Sequence, residues 1–190
     1  MTIRTSAARR ERTRERARRD ILESAARVFA RRGYAAATLA ELAEAAGYAA
    51  PSLYRYFGSK EEIFDSLFAL VSAELQEAFD APVDRSLPLP ARLSSLFAAL
   101  HQLAEGRRET LDLLAAHADF GEGQDHIEGL LLAWMQKHVG REELRVPQAL
   151  AARVAAGILL ALNHGRGRTG MTPGEMTRLA ADLILHGVSA

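Results

Sequence analysis

Three glycines, at positions 33, 47 and 58, cut a helical apolar pattern into short pieces. Ahead of the first, Ile21, Ala25, Val28 and Phe29 fall on one face at helical spacing. Gly33 stops that helix. Thr38-Leu39-Ala40-Glu41 then has the form of a capping box, in which the Thr and Glu side chains satisfy orphan amides of a first turn. Leu39, Leu42, Ala43 and Ala46 form the buried face of this second helix, and Gly47 supplies a left-handed residue at its end. Pro51 suits the first turn of a third helix, where its missing N–H costs nothing, and that helix is expected to run to about Phe57. Gly58 breaks it. Ser59-Lys60-Glu61-Glu62 has the form of a second capping box and launches a fourth helix, whose apolar face runs through Ile63, Phe64, Leu67, Phe68 and Val71 toward Phe79.

Residues 81–90 hold three prolines and act as punctuation. Beyond them four or five further amphipathic helices are expected. Leu93, Leu96, Phe97 and Leu100 mark one, Leu111–Ala118 a shorter one, and Ile127, Leu130, Leu131 and Trp134 a third. The last two run from about Pro147 to His164 and from Met171 to Val188, with Gly-Arg-Gly-Arg-Thr-Gly between them. No strand pattern of useful length occurs, so the fold class is all-α. No apolar run approaches the ~18 residues of a membrane span. The arginine-rich N-terminus lacks the apolar stretch of a secretory signal. With no cysteine, disulfides and thiolate chemistry are excluded, and a cytoplasmic location fits.

A formal net charge of zero hides a division. Residues 1–60 carry 13 Lys and Arg against 6 Asp and Glu, whereas 61–190 carry 11 against 18. One end is thus suited to meet a polyanion. Arginines outnumber lysines 22 to 2, so their clustering means more than any single one. Residues 4–19 are rich in like charges without an apolar stripe, and a partly disordered basic arm is expected over 1–19.

Two short helices joined by a tight Gly-containing turn make a helix-turn-helix, whose second helix lies in the DNA major groove. This explains the crowding of "LYRYF" at 53–57. Leu53 and Phe57, four apart, can pack inward, which leaves the rest of the short helix to face a groove. Tyrosine hydroxyls suit phosphate oxygens, and Lys60 beside a helix N-terminus makes a phosphate clamp. "TLAELAEAAGYAAPSLYRYFGSKEEIF" is similar to the DNA-binding half of the tetracycline-repressor (TetR) family, and the match is dense over roughly residues 20–68. Family members are dimeric transcription regulators, usually repressors, released from DNA when a small molecule enters the second domain. The resemblance implies that Thr38 caps the first DNA-proximal helix and touches phosphate. It also implies that Ala50, Pro51, Ser52 and Arg55 line the groove face, with Tyr54, Tyr56 and Lys60 on the DNA backbone. Alanine at 49 departs from the small hydroxyl residue often found there, a lost cap worth about 1 kcal/mol. Arg55 can serve either a guanine or a phosphate. The expected organisation is a basic arm (1–19), a three-helix helix-turn-helix domain (20–66), and a helical effector-binding and dimerisation domain (67–190).

In that second domain, Leu150, Val154, Gly157, Ile158 and Ala161 form one apolar stripe, and Met176, Leu179, Ala180, Leu183, Ile184 and Gly187 another. Paired across a two-fold axis they would make a four-helix interface, as the resemblance also implies; alternatively they close the core of a monomer. Candidates for a ligand pocket are Phe97, Leu100, His101, Leu114, His117, Phe120, Trp134, Met135 and His138, any of which serves equally in a core. No charged residue stands inside an obviously buried stripe, so an apolar or aromatic effector is expected. His117, Asp119, Glu122, Asp125 and His126 match no firm metal pattern and read as an acidic loop between helices. No nucleophile elbow, phosphate loop or dinucleotide fingerprint occurs. Neither an enzyme nor a cofactor is expected. The closer rival to a sequence-specific regulator is a non-specific DNA binder driven by the arginine arm.

Overall fold

In a computed structural model of the protein, backbone is described for residues 3–117 and 120–169, with 175, 179 and 182–184. Side chains are described over 8–114, 125–161 and those last five positions. The helices are α1 (Ile3–Arg32), α2 (Leu39–Ala45), α3 (Ala50–Leu53), α4 (Lys60–Asp80), α5 (Leu89–Gly106), α6 (Arg108–His117), α7 (Phe120–His138) and α8 (Gln148–Thr169), with a 3₁₀ turn at Arg141–Glu143. No strand occurs among the described residues, and no helix there is long and apolar enough to cross a membrane.

Four expectations change. The basic stretch 3–19 is not irregular but forms the first turns of α1. Arginine and alanine are good helix formers, and extending a helix already nucleated at 20–32 needs no new nucleus. The third helix closes at Leu53, not Phe57, although Tyr56 N–H and Phe57 N–H still donate to Leu53 O at 2.8 and 3.0 Å, so the chain keeps winding through 54–57. The glycine-bearing segment before Ile127 is helical from Phe120. Finally, α8 runs through Gly165 and Gly167 to Thr169. A single glycine costs a helix only about 1 kcal/mol, too little to end it where neighbours favour it.

The chain divides into two compact units, one of Met1–Ser72 with Arg107–His117, the other of Ala73–Gly106 with Ala118–Ala190. This differs from the single boundary expected at 66/67, because α6 belongs with the first unit. That unit closes on Ile21, Ala25, Val28 and Phe29 of α1, Leu42 and Ala43 of α2, Leu53, Phe57, Ile63 and Leu67 of the following elements, and Leu113 of α6. Arg107 also stands 3.7 Å from Glu23.

The second unit closes on Phe79 from the end of α4, Leu93, Leu96 and Phe97 of α5, Leu131, Trp134 and Met135 of α7, the alanines 151, 152, 155 and 156 of α8, and Ile184. A charge is buried here, against expectation. Arg92 is 6% exposed, donates to His138 O, and pairs with Glu143. Arg85 donates to Lys137 O, and Gln148 Nε2 donates to Met135 O and Val139 O at 3.3 and 3.0 Å. Three side chains thereby cover four carbonyls at the end of α7, one of which, Met135 O, also accepts from Val139 N–H at 2.9 Å.

Candidate nucleic-acid interface

The helix-turn-helix is set by caps at each end of its pieces. Thr38 is the N-cap of α2: its Oγ1 accepts from Glu41 N–H at 3.3 Å, and Glu41 Oε2 accepts from Thr38 N–H at 3.0 Å. The bond from Thr38 N–H, then one from the Thr38 hydroxyl to the same Glu41 Oε2 at 3.0 Å, hold the Glu41 carboxyl below its usual range, with Arg32 at 2.8 Å adding to the effect. At the other end, Gly47 takes φ +77°, its N–H donates to Glu44 O, and Tyr48 N–H reaches back to Ala43 O at 2.8 Å. This pair of bonds is a Schellman closure, and only glycine adopts that φ without strain. The turn aims α3 away from α2 in a fixed direction.

On α3 the inward and outward sides separate as the sequence implies. Leu53 and Phe57 are 0% and 1% exposed, while Tyr54 is 57% exposed. Pro51 and Arg55 are also exposed, and Ala50 and Ser52 are half-buried. Ala49 is the N-cap and supplies no side-chain hydrogen bond. Tyr56 is half-buried, with its ring edge-on to Tyr48 at 5.7 Å. A four-residue helix cannot hold this arrangement alone; its neighbours do.

One of those neighbours is Arg18, assigned from sequence to the arm. Its guanidinium donates to Tyr56 O, lies 4.1 Å above the Phe57 ring, and stands 3.7 Å from Glu62. It therefore holds the carbonyl end of the recognition turn. The only signal in the sequence was its spacing, three and four residues ahead of the buried Ile21 and Leu22.

Lys60 is the second. Its ammonium donates to the carbonyls of Tyr34 (2.8 Å), Ala37 (3.2 Å) and Ala35 (3.3 Å) and sits 4.6 Å over the Tyr34 ring. All three of its protons are committed to the α1–α2 connection. Lys60 is thus a clamp on its own chain. Tyr34 completes the corner by donating to Glu61 at 3.3 Å, and burial followed by that carboxylate pushes its hydroxyl pKa up. The second cap forms with a variation: Ser59 Oγ accepts from Glu62 N–H at 3.1 Å, while Glu62 reaches back to Gly58 N–H at 2.7 Å.

The other candidate residues are less unified. Phe97, Leu100, Trp134 and Met135 share the core of the second unit, and His138 stacks at 5.3 Å on Trp134. His101 is half-buried on α5. Leu114 is buried on α6, in the first unit. The side chains of His117 and Phe120 lie outside the described residues, as do those of Asp119 and Glu122 among the metal-type residues. On α8, Leu150, Val154 and Ala161 are exposed and Gly157 half-buried, on the side away from the core alanines, whereas the half-buried Ile158 packs against the core. Leu183 is exposed and Leu179 half-buried, but Ile184 is fully buried in the core. Met176, Ala180 and Gly187 lie outside the described residues.

Residues 21–67 match the family profile of "Bacterial regulatory proteins, tetR family". The chain is 28% identical over 101 residues to the uncharacterized HTH-type transcriptional regulator YhgD of Bacillus subtilis, covering 53% of each chain. It is 38% identical over 88 residues to the HTH-type transcriptional repressor KstR2 of Mycobacterium tuberculosis, covering 46% of this chain and 44% of that one. It thus spans about half the length of these curated relatives. Among solved structures, the TetR family transcriptional regulator PfmR of Thermus thermophilus superposes with a TM-score of 0.65 at 28% identity, over 87% of this chain and 97% of that one. NalD, the secondary repressor of the MexAB-OprM multidrug efflux pump in Pseudomonas aeruginosa, shares the fold with a TM-score of 0.69 at 21% identity, over 92% and 96%. With its capped α2, its Schellman turn at Gly47 and its outward-facing Tyr54 and Arg55, the segment 21–67 is of the kind found in the tetR family of bacterial regulatory proteins.

Proposed function

We propose that this protein is a transcriptional regulator, a repressor, that binds a two-fold symmetric DNA site as a homodimer and leaves it when a small molecule binds the second unit. The observation that carries this reading is the recognition element. A short helix is anchored by Leu53 and Phe57 and locked by Arg18 from behind, and it presents Pro51, Tyr54 and Arg55 outward. Such a surface fits a major groove, with tyrosine on phosphate and small residues against base edges.

Two recognition helices must stand about 34 Å apart or more to meet successive major grooves, so one copy is not enough. The exposed side of α8, with Leu150 at 49% and Val154 at 38%, is the surface offered for pairing, together with Leu183. Among the described residues, Leu150, Val154 and Leu183 take no part in the core, and pairing would remove them from water. Effector binding would then stabilise a spacing of recognition helices that no longer fits both half-sites. An apolar or aromatic effector suits the Phe97, Trp134 and Met135 cluster of the second unit, and a structural neighbour from Mycobacterium tuberculosis is described as a ketosteroid transcriptional regulator.

Selection of bound duplexes from a random pool at about physiological salt tests the reading. A palindrome is expected, preferred over random DNA by roughly 4–10 kcal/mol. Equal recovery of all sequences would instead support a non-specific binder. Light scattering of the full chain should give twice the 20.7 kDa monomer mass, and Leu150→Asp with Val154→Asp should return it to one.

A further inference from the structure

We propose that the N-terminal turns of α1 and the recognition turn form one phosphate-binding groove for the DNA backbone, in which Arg55 is a backbone ligand and not a base reader. This rests on the regulator reading and assigns a ligand class to a site beside the recognition helix. The groove has a volume of about 440 Å³ and is lined by Arg9, Arg10, Thr13 and Arg14 on one side and Arg55 and Tyr56 on the other. Four guanidiniums converge on it from segments some forty residues apart.

Convergence of positive charge marks the groove. Five arginines elsewhere face carboxylates: Arg18 and Glu62, Arg32 and Glu41, Arg92 and Glu143, Arg107 and Glu23, Arg153 and Glu128. Among the described residues, Arg9, Arg14 and Arg55 have no acidic group at ion-pair distance. Helical geometry explains why. Residues 10, 13, 14 and 17 share one face of α1, and Ala17 is buried, so that face is turned toward the rest of the unit. Glu11 and Glu15 fall off that face and cannot neutralise it. Like charges drawn together at a half-open groove repel one another until an anion joins them.

The occupant that fits is a run of phosphodiesters. Arg10 and Arg14 are one turn apart, about 6 Å along the helix. This spans roughly two phosphates of one DNA strand, which recur every ~3.4 Å of duplex axis. A guanidinium presents planar paired donors that suit phosphate oxygens. The groove adjoins the exposed face of α3, so a duplex seated on Pro51 and Tyr54 carries its backbone past it. Arg55, directed into the groove, is then withdrawn from the base edges, and sequence readout falls to Pro51, Ser52 and Tyr54.

The test is fluorescence anisotropy of the full chain on its selected duplex between about 50 and 300 mM salt. Wild type is compared with Arg10→Ala/Arg14→Ala, Arg55→Ala, Arg55→Lys and the control pair Arg12→Ala/Arg16→Ala, which removes two exposed charges outside the groove. Circular dichroism confirms that each variant is folded. Each lost phosphate contact should lower the slope of log K against log salt by ~0.9 and weaken binding about eightfold at 0.1 M. Arg55→Ala should weaken all sequences alike, and Arg55→Lys should retain most of the slope. Relaxed preference at one base pair in Arg55→Ala, or an equal loss of slope in the control pair, would overturn the proposal. If wild type selects no sequence, the regulator reading falls, whereas the slopes measured on random duplex still decide the groove.

Discussion

Replacing Lys60 by methionine separates two roles that the sequence allows for the same residue. As a phosphate clamp, Lys60 would matter only on DNA. In the structure it bonds three carbonyls of the α1–α2 connection and covers the Tyr34 ring. The bond to Ala35 O is exposed, and water replaces it at little cost. Those to Tyr34 O and Ala37 O are partly buried, and each contributes about 1 kcal/mol net. The ammonium over the ring adds about 0.5 kcal/mol. Lys60→Met should therefore destabilise the first unit by about 2–3 kcal/mol, with an unchanged dependence on urea concentration per unit surface exposed. The protein supplies its own probes. All four tyrosines (34, 48, 54 and 56) lie in the first unit and the single tryptophan, Trp134, in the second. Tyrosine absorbance should report an earlier urea transition while Trp134 fluorescence reports an unchanged one. A tyrosine transition within about 0.5 kcal/mol of wild type, with the salt slope of DNA binding lowered by ~0.9, would return Lys60 to the phosphate role.

Arg18→Ala should free the Tyr56 carbonyl and cost about 1.5–3 kcal/mol by the same tyrosine probe, and Arg18→Lys should not restore it, because an ammonium cannot both reach that carbonyl and stack on Phe57. Ala49→Ser should supply the missing cap of α3 and raise the tyrosine midpoint by about 0.5–1 kcal/mol. Thr38→Ala should remove a cap that is present and cost about 1 kcal/mol. In the second unit, burial, then Lys137, Arg85 and Arg92, depress the His138 pKa, so the folded unit resists the proton that the unfolded chain accepts. Stability should be full above the ordinary histidine value of about 6.5 and fall as pH drops below it toward the depressed one. Trp134-monitored melts at pH 7.5 and 5.5 should show this loss, and His138→Gln should reduce it.

Much of the first unit was legible in the sequence because its information is local. A Thr and a Glu three apart, a glycine with positive φ, and two apolar residues four apart each act within one or two helical turns. They place α2, its closure and the inward side of α3 without reference to anything distant. The same local reasoning went astray where like charge or a glycine was read as a break. Arginine is itself a good helix former, and a nucleated neighbour outweighs the small reluctance of a glycine.

Packing, in contrast, set what the charged residues do. Arg18 meets Tyr56 across 38 residues, Lys60 meets Tyr34 and Ala37 across 26 and 23, and Arg92 meets His138 and Glu143 across 46 and 51. A long cationic side chain has no periodic signature, because it serves equally on a solvated face, on a phosphate or on a carbonyl within the fold. Its role depends on which oxygens the packed apolar faces bring within its reach. The apolar spacing was therefore determined along the chain, whereas the partners of the arginines and of Lys60, and the return of α6 to the first unit, arose only when those faces closed on one another.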